Sequence, residues 1–296
     1  MNISKLHQLS LALALSCFTS NAIAQEPVPN PNAPLTTLEA AKHIKWELGL
    51  VTAGAVYLGL DSWNWGSSNS FKFNDEGFFG MDTGSGGADK LGHMYSSYVI
   101  NEIFNKRMNH YTDNKIQAAR KSALFSSAVM LGVEIFDGYS DDHGFSYEDV
   151  ILNTAGIGVS YLKNTVPGLD EKIDLRVEYH PSDAYSDHPI TDYSGYTYIA
   201  ALKLGGFRKL KATPLKYFEL QLGYHTEGFK VKDRVQFPER KSEISVGLGL
   251  DLSEVLFKPA KRYTNSGFVD AADTFFRYYR APGTYIDTVV SERVGK

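Results

Sequence analysis

A chain of 296 residues with 43% hydrophobic and 22% charged side chains has the content to bury a core, which excludes disorder over most of its length. Its 30 basic and 34 acidic residues leave a net charge of −4, and that mild acidity argues against a nucleic-acid partner. One cysteine, Cys17, excludes a disulfide framework within the chain.

Residues 1–24 read as a secretory signal: Lys5 opens it, an apolar run follows from Leu9 to Phe18, and Ala22-Ile23-Ala24 offers a small-x-small cleavage site. Two other readings stand beside it. One is an N-terminal membrane anchor, although the apolar run is short of the ~20 residues a span needs. The other makes Cys17 a lipoprotein cysteine after Ala14-Leu15-Ser16, where Ala14 replaces the usual Leu. Cleavage after Ala24 leaves no cysteine, which suits an envelope compartment and gives an address in the periplasm or outer membrane. Residues 25–35, with Pro27, Pro29, Pro31 and Pro34, read as an extended linker.

A helical domain is expected over 36–165. Helix signals begin at Thr36-Thr37 with Glu39 behind them, and one helix is expected to run on to about Trp63. Its second half, Leu48 to Leu60, is apolar with Gly49, Gly54 and Gly59 interspersed. That pattern predicts a buried core helix with close small-residue contacts, since the uncharged run is too short for a bilayer. A Gly/Ser/Asn-rich loop from Trp63 to Ala88 carries Phe71, Phe73, Asp75, Glu76 and Phe78, and a loop of that length is expected to be functional or to pack as a lid. Three further helices are expected at Ala88–Met108, Asn114–Asp137 and Tyr147–Leu162, with Thr112 or Asp113 and then Ser146 as N-caps. Short connections among them predict a bundle of about four helices.

From Lys172 the period changes to two. Strands are expected at Asp174–His180, Tyr196–Gly205, Lys216–Phe229 and Lys241–Leu252, so the fold class is α+β, with about four amphipathic strands in an antiparallel sheet over 172–257. Ten-residue alternation is also the length of outer-membrane strands, but four cannot close a barrel, so a sheet packed on the helices is favoured. Its apolar face calls for cover by helices, lipid or another subunit. Residues 258–296 read as a tail, with a short helix near Asp270–Tyr279 and then a loose end.

The chemistry-bearing residues cluster on the helices. Asp89 and His93 lie four apart and share one helical face, with Lys90 beside them. Glu134 interrupts the apolar run Ser127–Phe136, where an ionised carboxylate is costly unless paired. Asp149 and Asn153 repeat the four-residue spacing. If these faces converge they line one polar pocket, with His93, Asp89 and Glu134 as the catalytic candidates and Lys90, Asp149 and Asn153 as the substrate-binding ones. An oxygen-rich set with one imidazole would suit a divalent metal, although no HExxH-type signature is present. Blander roles remain open: Asp89 as a first-turn acid, Glu134 as a salt-bridge partner of Lys90 or Arg120, Asp149 as a cap, Asn153 as a brace between helices, and Asp137, Asp141, Asp142 and His143 as a solvated acidic loop. The Gly84-Ser85-Gly86-Gly87 turn lacks the strand and Lys-Ser/Thr of a phosphate loop, and no Gly-x-Ser-x-Gly elbow appears.

Asp89-Lys90-Leu91-Gly92-His93, the later Glu134 and the run Ser146-x-x-Asp149-x-x-x-Asn153-Thr154-Ala155-Gly156 together resemble the YfiM-like family of predicted periplasmic lipoproteins, as does Phe73-Asn74-Asp75-Glu76-Gly77-Phe78 upstream. The same residues are similar to the wider VanZ-like group, whose members carry Asp-Lys-x-x-His and a later Glu before an Asp-x-x-x-Asn-x-x-Gly helix. Asp137-Gly138 and Asp141-Asp142-His143-Gly144 depart from the Gln and Arg that usually follow that Glu. The resemblance covers about residues 63–162 and implies a helical envelope domain without an established reaction. Two functions follow as expectations. The first is an envelope protein of ligand-binding or structural kind at the outer membrane, with lipid, an envelope protein or a second copy against the apolar sheet face as candidate partners. The second is a hydrolase or transferase acting on a lipid or cell-wall-linked substrate, with a divalent metal as candidate cofactor.

Overall fold

The computed structural model describes residues 35–185 and 189–295, so the signal and nearly all of the linker lie outside the described residues. The fold is α+β, with a helical unit (residues 35–78 and 90–167) and a sheet unit (residues 79–89 and 168–295).

The helical unit opens where expected. The Thr36 side chain accepts from the Glu39 N–H and the Glu39 carboxylate accepts from the Thr36 N–H, which closes a capping box. The single helix expected from there is two, α1 (Thr37–His43) and α2 (Lys45–Asp61). Arg107 Nε donates to the His43 carbonyl at 3.3 Å and lies 3.3 Å from Glu47, so a side chain takes the acceptor that the helix would have used. The expectation of a buried apolar helix is also corrected. Val56, Tyr57 and Leu60 of α2 are exposed, Gly49 and Gly54 meet nothing within 4 Å, and only Gly59 makes a close contact, against the Trp65 ring. Among the described residues no helix is long and apolar enough to cross a membrane.

Three longer helices follow: α3 (Ala88–Met108), α4 (Lys115–Asp137) and α5 (Tyr147–Thr165). The α4 cap is Asn114, whose side chain accepts from the Gln117 N–H, rather than Thr112 or Asp113; Ser146 caps α5 as expected. At one end of α3 Phe104 and Met108 pack with Ala40, Ile44 and Ala118 in an apolar core. Midway the packing turns polar: Asn101 Nδ2 donates to Ser160 Oγ at 2.8 Å, and Ser126 Oγ donates to Asn101 Oδ1 at 3.2 Å. This buried amide ties α3 to both neighbours. Where α5 crosses α3, a Cβ on Gly156 would collide with the Met94 carbonyl and Ser97 Oγ, so glycine permits the approach that brings Asn153 level with His93.

The loop expected to be functional or to pack as a lid is packed over residues 65–73 against the turn after α4. Trp65 bridges to Ser140 and Phe73 to Phe145, with Phe71 edge-on to Tyr139. The acidic turn opposite is correspondingly less solvated than expected: Asp137 is buried and accepts from Trp65 Nε1 at 2.6 Å, while Asp141 stays exposed.

The sheet unit holds five antiparallel strands in sequential order: β1 (Ile173–Tyr179), β2 (Tyr196–Lys203), β3 (Phe218–Glu227), β4 (Arg240–Leu250) and β5 (Tyr285–Gly295). The stretch expected as a loose end is β5. Its alternation fails at Val289-Val290, where the register shifts between Ile244 and Ser245 and an extra residue is taken up as a bulge. A helix, α6 (Gly267–Phe276), precedes it. The two faces reverse the usual arrangement. Leu220, Leu222, Val246 and Leu248 are exposed, whereas Asp174, Arg176, Glu178 and Glu219 are buried. Arg280, just beyond α6, reaches across the charged face to Glu178 and Gln221.

Candidate functional site

Lys90, on the first turn of α3, is 2% exposed and donates to Asp149 on α5 at 2.9 Å. Its ammonium also pairs with Glu76 from the loop before α3. An ammonium removed from water needs such partners, because unpaired burial costs several kcal/mol. Lys90 therefore locks the start of α5 to the start of α3.

His93 lies one turn further along. Its Nδ1 is 3.2 Å from Glu134 Oε1 and 3.3 Å from Asn153 Oδ1, and Asn153 Nδ2 donates to Glu134 Oε1 at 3.0 Å. The triangle fixes its own polarity. An ionised Glu134 only accepts, so the Asn153 amide turns its NH2 to the carboxylate and its oxygen to the ring. With the ring neutral, two acceptors around Nδ1 would place the proton there and leave Nε2 to accept. Glu134 is 1% exposed and the His93 side chain 20% exposed, so the imidazole is the member of this triangle that reaches outward.

Asp89 ends the segment 79–89 that clusters with the sheet unit, yet α3 runs through it unbroken, so its place one turn before His93 is set by the helix itself. Ligand atoms of Asp89, His93 and Asp149 all lie within 4.8 Å of one another. A divalent ion held at about 2.0–2.2 Å by each ligand keeps its donors roughly 3 to 4.4 Å apart, so small side-chain rotations would close the set. Charge favours a cation as well. The carboxylates of Glu76, Asp89, Glu134 and Asp149 gather about this centre with the Lys90 ammonium and the His93 imidazole, and Asp89 Oδ1 also accepts from Tyr193 Oη at 2.7 Å.

All six side chains singled out in the sequence thus gather at one centre, but not with the partners expected. Glu134 pairs with His93 and Asn153 instead of Lys90 or Arg120, because Lys90 is taken up by Asp149 and Glu76. Asp137 and His143 serve the packed loop: Asp137 holds Trp65, and the His143 carbonyl accepts from Asn74 Nδ2 at 3.1 Å. Two acids escaped the sequence reading. Glu76 sat in a loop where nothing signals burial. Glu148, fully buried, accepts from the Gly77 N–H at 3.1 Å and from Ser146 Oγ at 3.0 Å. Against the cost of burial, its own N–H and the Ser146 hydroxyl hold the Glu148 carboxyl below the usual range. The Ser146-Tyr147-Glu148 spacing was the available signal, an acid one residue before Asp149 in a first turn.

Residues 75–165 match the model of a family described as predicted periplasmic lipoprotein (DUF2279), a span that includes every residue of this centre. The resemblance read from the sequence stands at that level, a periplasmic family of unknown function, and the address in the periplasm or outer membrane agrees with it. No curated protein and no solved structure matches the chain.

Proposed function

We propose that this chain is an envelope protein at the outer membrane whose helical unit offers a polar pocket for a divalent cation. Asp89, Asp149 and His93 Nε2 are the ligands in this reading. Glu134 and Asn153 hold the ring and its tautomer, and Lys90 positions Asp149 rather than touching the ligand. One observation carries the reading: a buried carboxylate on His93 Nδ1 beside two further carboxylates within 4.8 Å is the arrangement by which proteins orient a metal-binding imidazole. The resemblance to YfiM-like and VanZ-like chains, carried by Asp89-Lys90-x-x-His93 and the later Glu134, supports a shared centre.

Thermal unfolding after chelation tests it. Added Mn2+ or Zn2+ should raise the melting temperature, with about 2.7 kcal/mol of stabilisation at a hundredfold excess over the dissociation constant. His93→Ala should abolish the rise. No rise in the unaltered protein, or a rise that survives His93→Ala, would refute the cation site.

A second reading, a hydrolase or transferase acting on a lipid or cell-wall-linked substrate, draws on the same triangle. A partly exposed imidazole oriented by a buried acid is the geometry of a general base. Mass spectrometry of envelope lipid or peptidoglycan incubated with the protein separates the two. Products that disappear with His93→Ala favour the enzyme, and unaltered material favours cation binding alone.

A further inference from the structure

The sheet unit presents its apolar side outward. Leu222 and Val246, paired across β3 and β4, are 52% and 42% exposed, and Leu220, Leu248 and Ile286 extend the surface over three strands. Charge lies on the opposite, covered face, where Arg176 pairs with Glu219 and Lys203 with Asp174 at 2.6 Å. A half-buried antiparallel sheet in water orders its faces the other way. A continuous exposed apolar surface of this kind marks a contact with another protein or with a membrane.

The charge at one end of the sheet selects between them. Strand register brings Lys203, Glu219, Gly249 and Tyr285 to the same end, so the β2–β3 and β4–β5 connections emerge together. The first carries Arg208, Lys209, Lys211 and Lys216 with no acidic residue from 204 to 217, and Arg208 and Lys209 are exposed. The second exposes Leu256, Tyr263 and Phe268, with Arg262 among them. Bulky apolar side chains beside a cationic rim are the composition of an interfacial membrane contact, and exposed tyrosines such as Tyr217 and Tyr263 suit the headgroup level.

We propose that this face is a seat for a phospholipid surface. Leu220, Leu222, Val246, Leu248 and Ile286 enter the acyl layer, and Arg208 and Lys209 meet anionic phosphates, while Lys211 is paired with Glu171 at 3.1 Å. The inference rests on the envelope address proposed above and is independent of the cation. Hydrocarbon covers what the fold leaves open, and the basic connections set the preference for anionic headgroups.

Flotation of the chain from Gln25 to Lys296, which holds every described residue, tests it with vesicles of phosphatidylethanolamine and phosphatidylglycerol and with vesicles of phosphatidylcholine. The protein should float with the first and less with the second. Leu222→Glu combined with Val246→Glu should lower the bound fraction about tenfold or more on both, because each places a charge in hydrocarbon. Arg208→Ala and Lys209→Ala together should weaken binding to the anionic vesicles about fivefold for each charge removed and leave phosphatidylcholine little changed. Unaltered circular dichroism and an unchanged cooperative melting transition would show that the variants fold. Failure to float with either vesicle overturns the proposal. A dimer in sedimentation that the paired glutamates dissolve, without flotation, assigns the face to a second copy and overturns it equally.

Discussion

The two units bury charge in opposite ways. In the sheet unit two buried acids have several partners each: Asp174 lies 2.6 Å from Lys203, 3.6 Å from Arg176 and 3.7 Å from Arg277, and Glu178 takes Arg280, His180 Nε2 at 2.8 Å and Tyr285 Oη at 2.9 Å. In the helical unit one ammonium serves both Asp149 and Glu76, and Glu134 looks to an imidazole and an amide. Guanidinium groups stay charged at any physiological pH, whereas an imidazole changes charge near neutrality. Asp174 and Glu178 are thus held largely by permanent charge, whereas Glu134 is held against a titratable ring that is itself 20% exposed.

Lys90→Ala is the sharpest way to break that contrast. It strands two carboxylates, one of them deeply buried, and should cost about 3–5 kcal/mol in urea unfolding. Arg280→Met removes a guanidinium that also stacks on Tyr285, yet Glu178 keeps Tyr285 and His180, so the expected loss is smaller, about 2–3 kcal/mol. Burial opposes ionisation of Glu178, but Tyr285, His180 and Arg280 together hold its carboxyl below the usual range, which is why one partner can go. If Arg280→Met proves the costlier substitution, redundancy does not distinguish the two units.

Much of this was legible in the chain, and the misses share a cause. Spacing along a helix is local, so Asp89 and His93, or Asp149 and Asn153, could be placed on common faces from sequence. Partner choice is tertiary: Glu134 in an apolar run announces a pair, but only the crossing at Gly156 shows that the pair is His93 and Asn153. Alternation in β3 and β4 shows that the two faces differ and is silent on which one is covered, so the exposure of Leu222 and the burial of Glu219 could not be read. The fifth strand was hidden by the bulge at Val289-Val290, and the break at Ile44 by an Arg107 that lies 63 positions away from it. Glu76 lay within the Phe73–Phe78 motif and the loop expected to be functional, but nothing local paired it with Lys90.

The smallest test concerns a second titratable ring of the sheet unit, in addition to His180. His225 on β3 sits opposite Thr197 and Glu243, its Nδ1 lies 2.9 Å from the Tyr196 carbonyl and its Nε2 3.7 Å from Glu227. Burial alone would lower its pKa, but Glu227, the Tyr196 carbonyl and Glu243 outweigh it and raise the ring above 6.5. Lys241, which contacts both Glu227 and Glu243, tempers that field. A histidine raised in the folded state binds its proton more tightly there than in the unfolded chain. Its contribution is therefore complete below pH 6.5 and is lost as pH rises through the folded value. Urea unfolding across that window should show stability falling by the worth of a partly exposed ion pair, about 0.2–1 kcal/mol, with the fall absent in His225→Gln. A flat profile in the unaltered protein would mean that Glu227 and Glu243 are satisfied by Lys241 alone, and that the His225 ring adds nothing to their pairing.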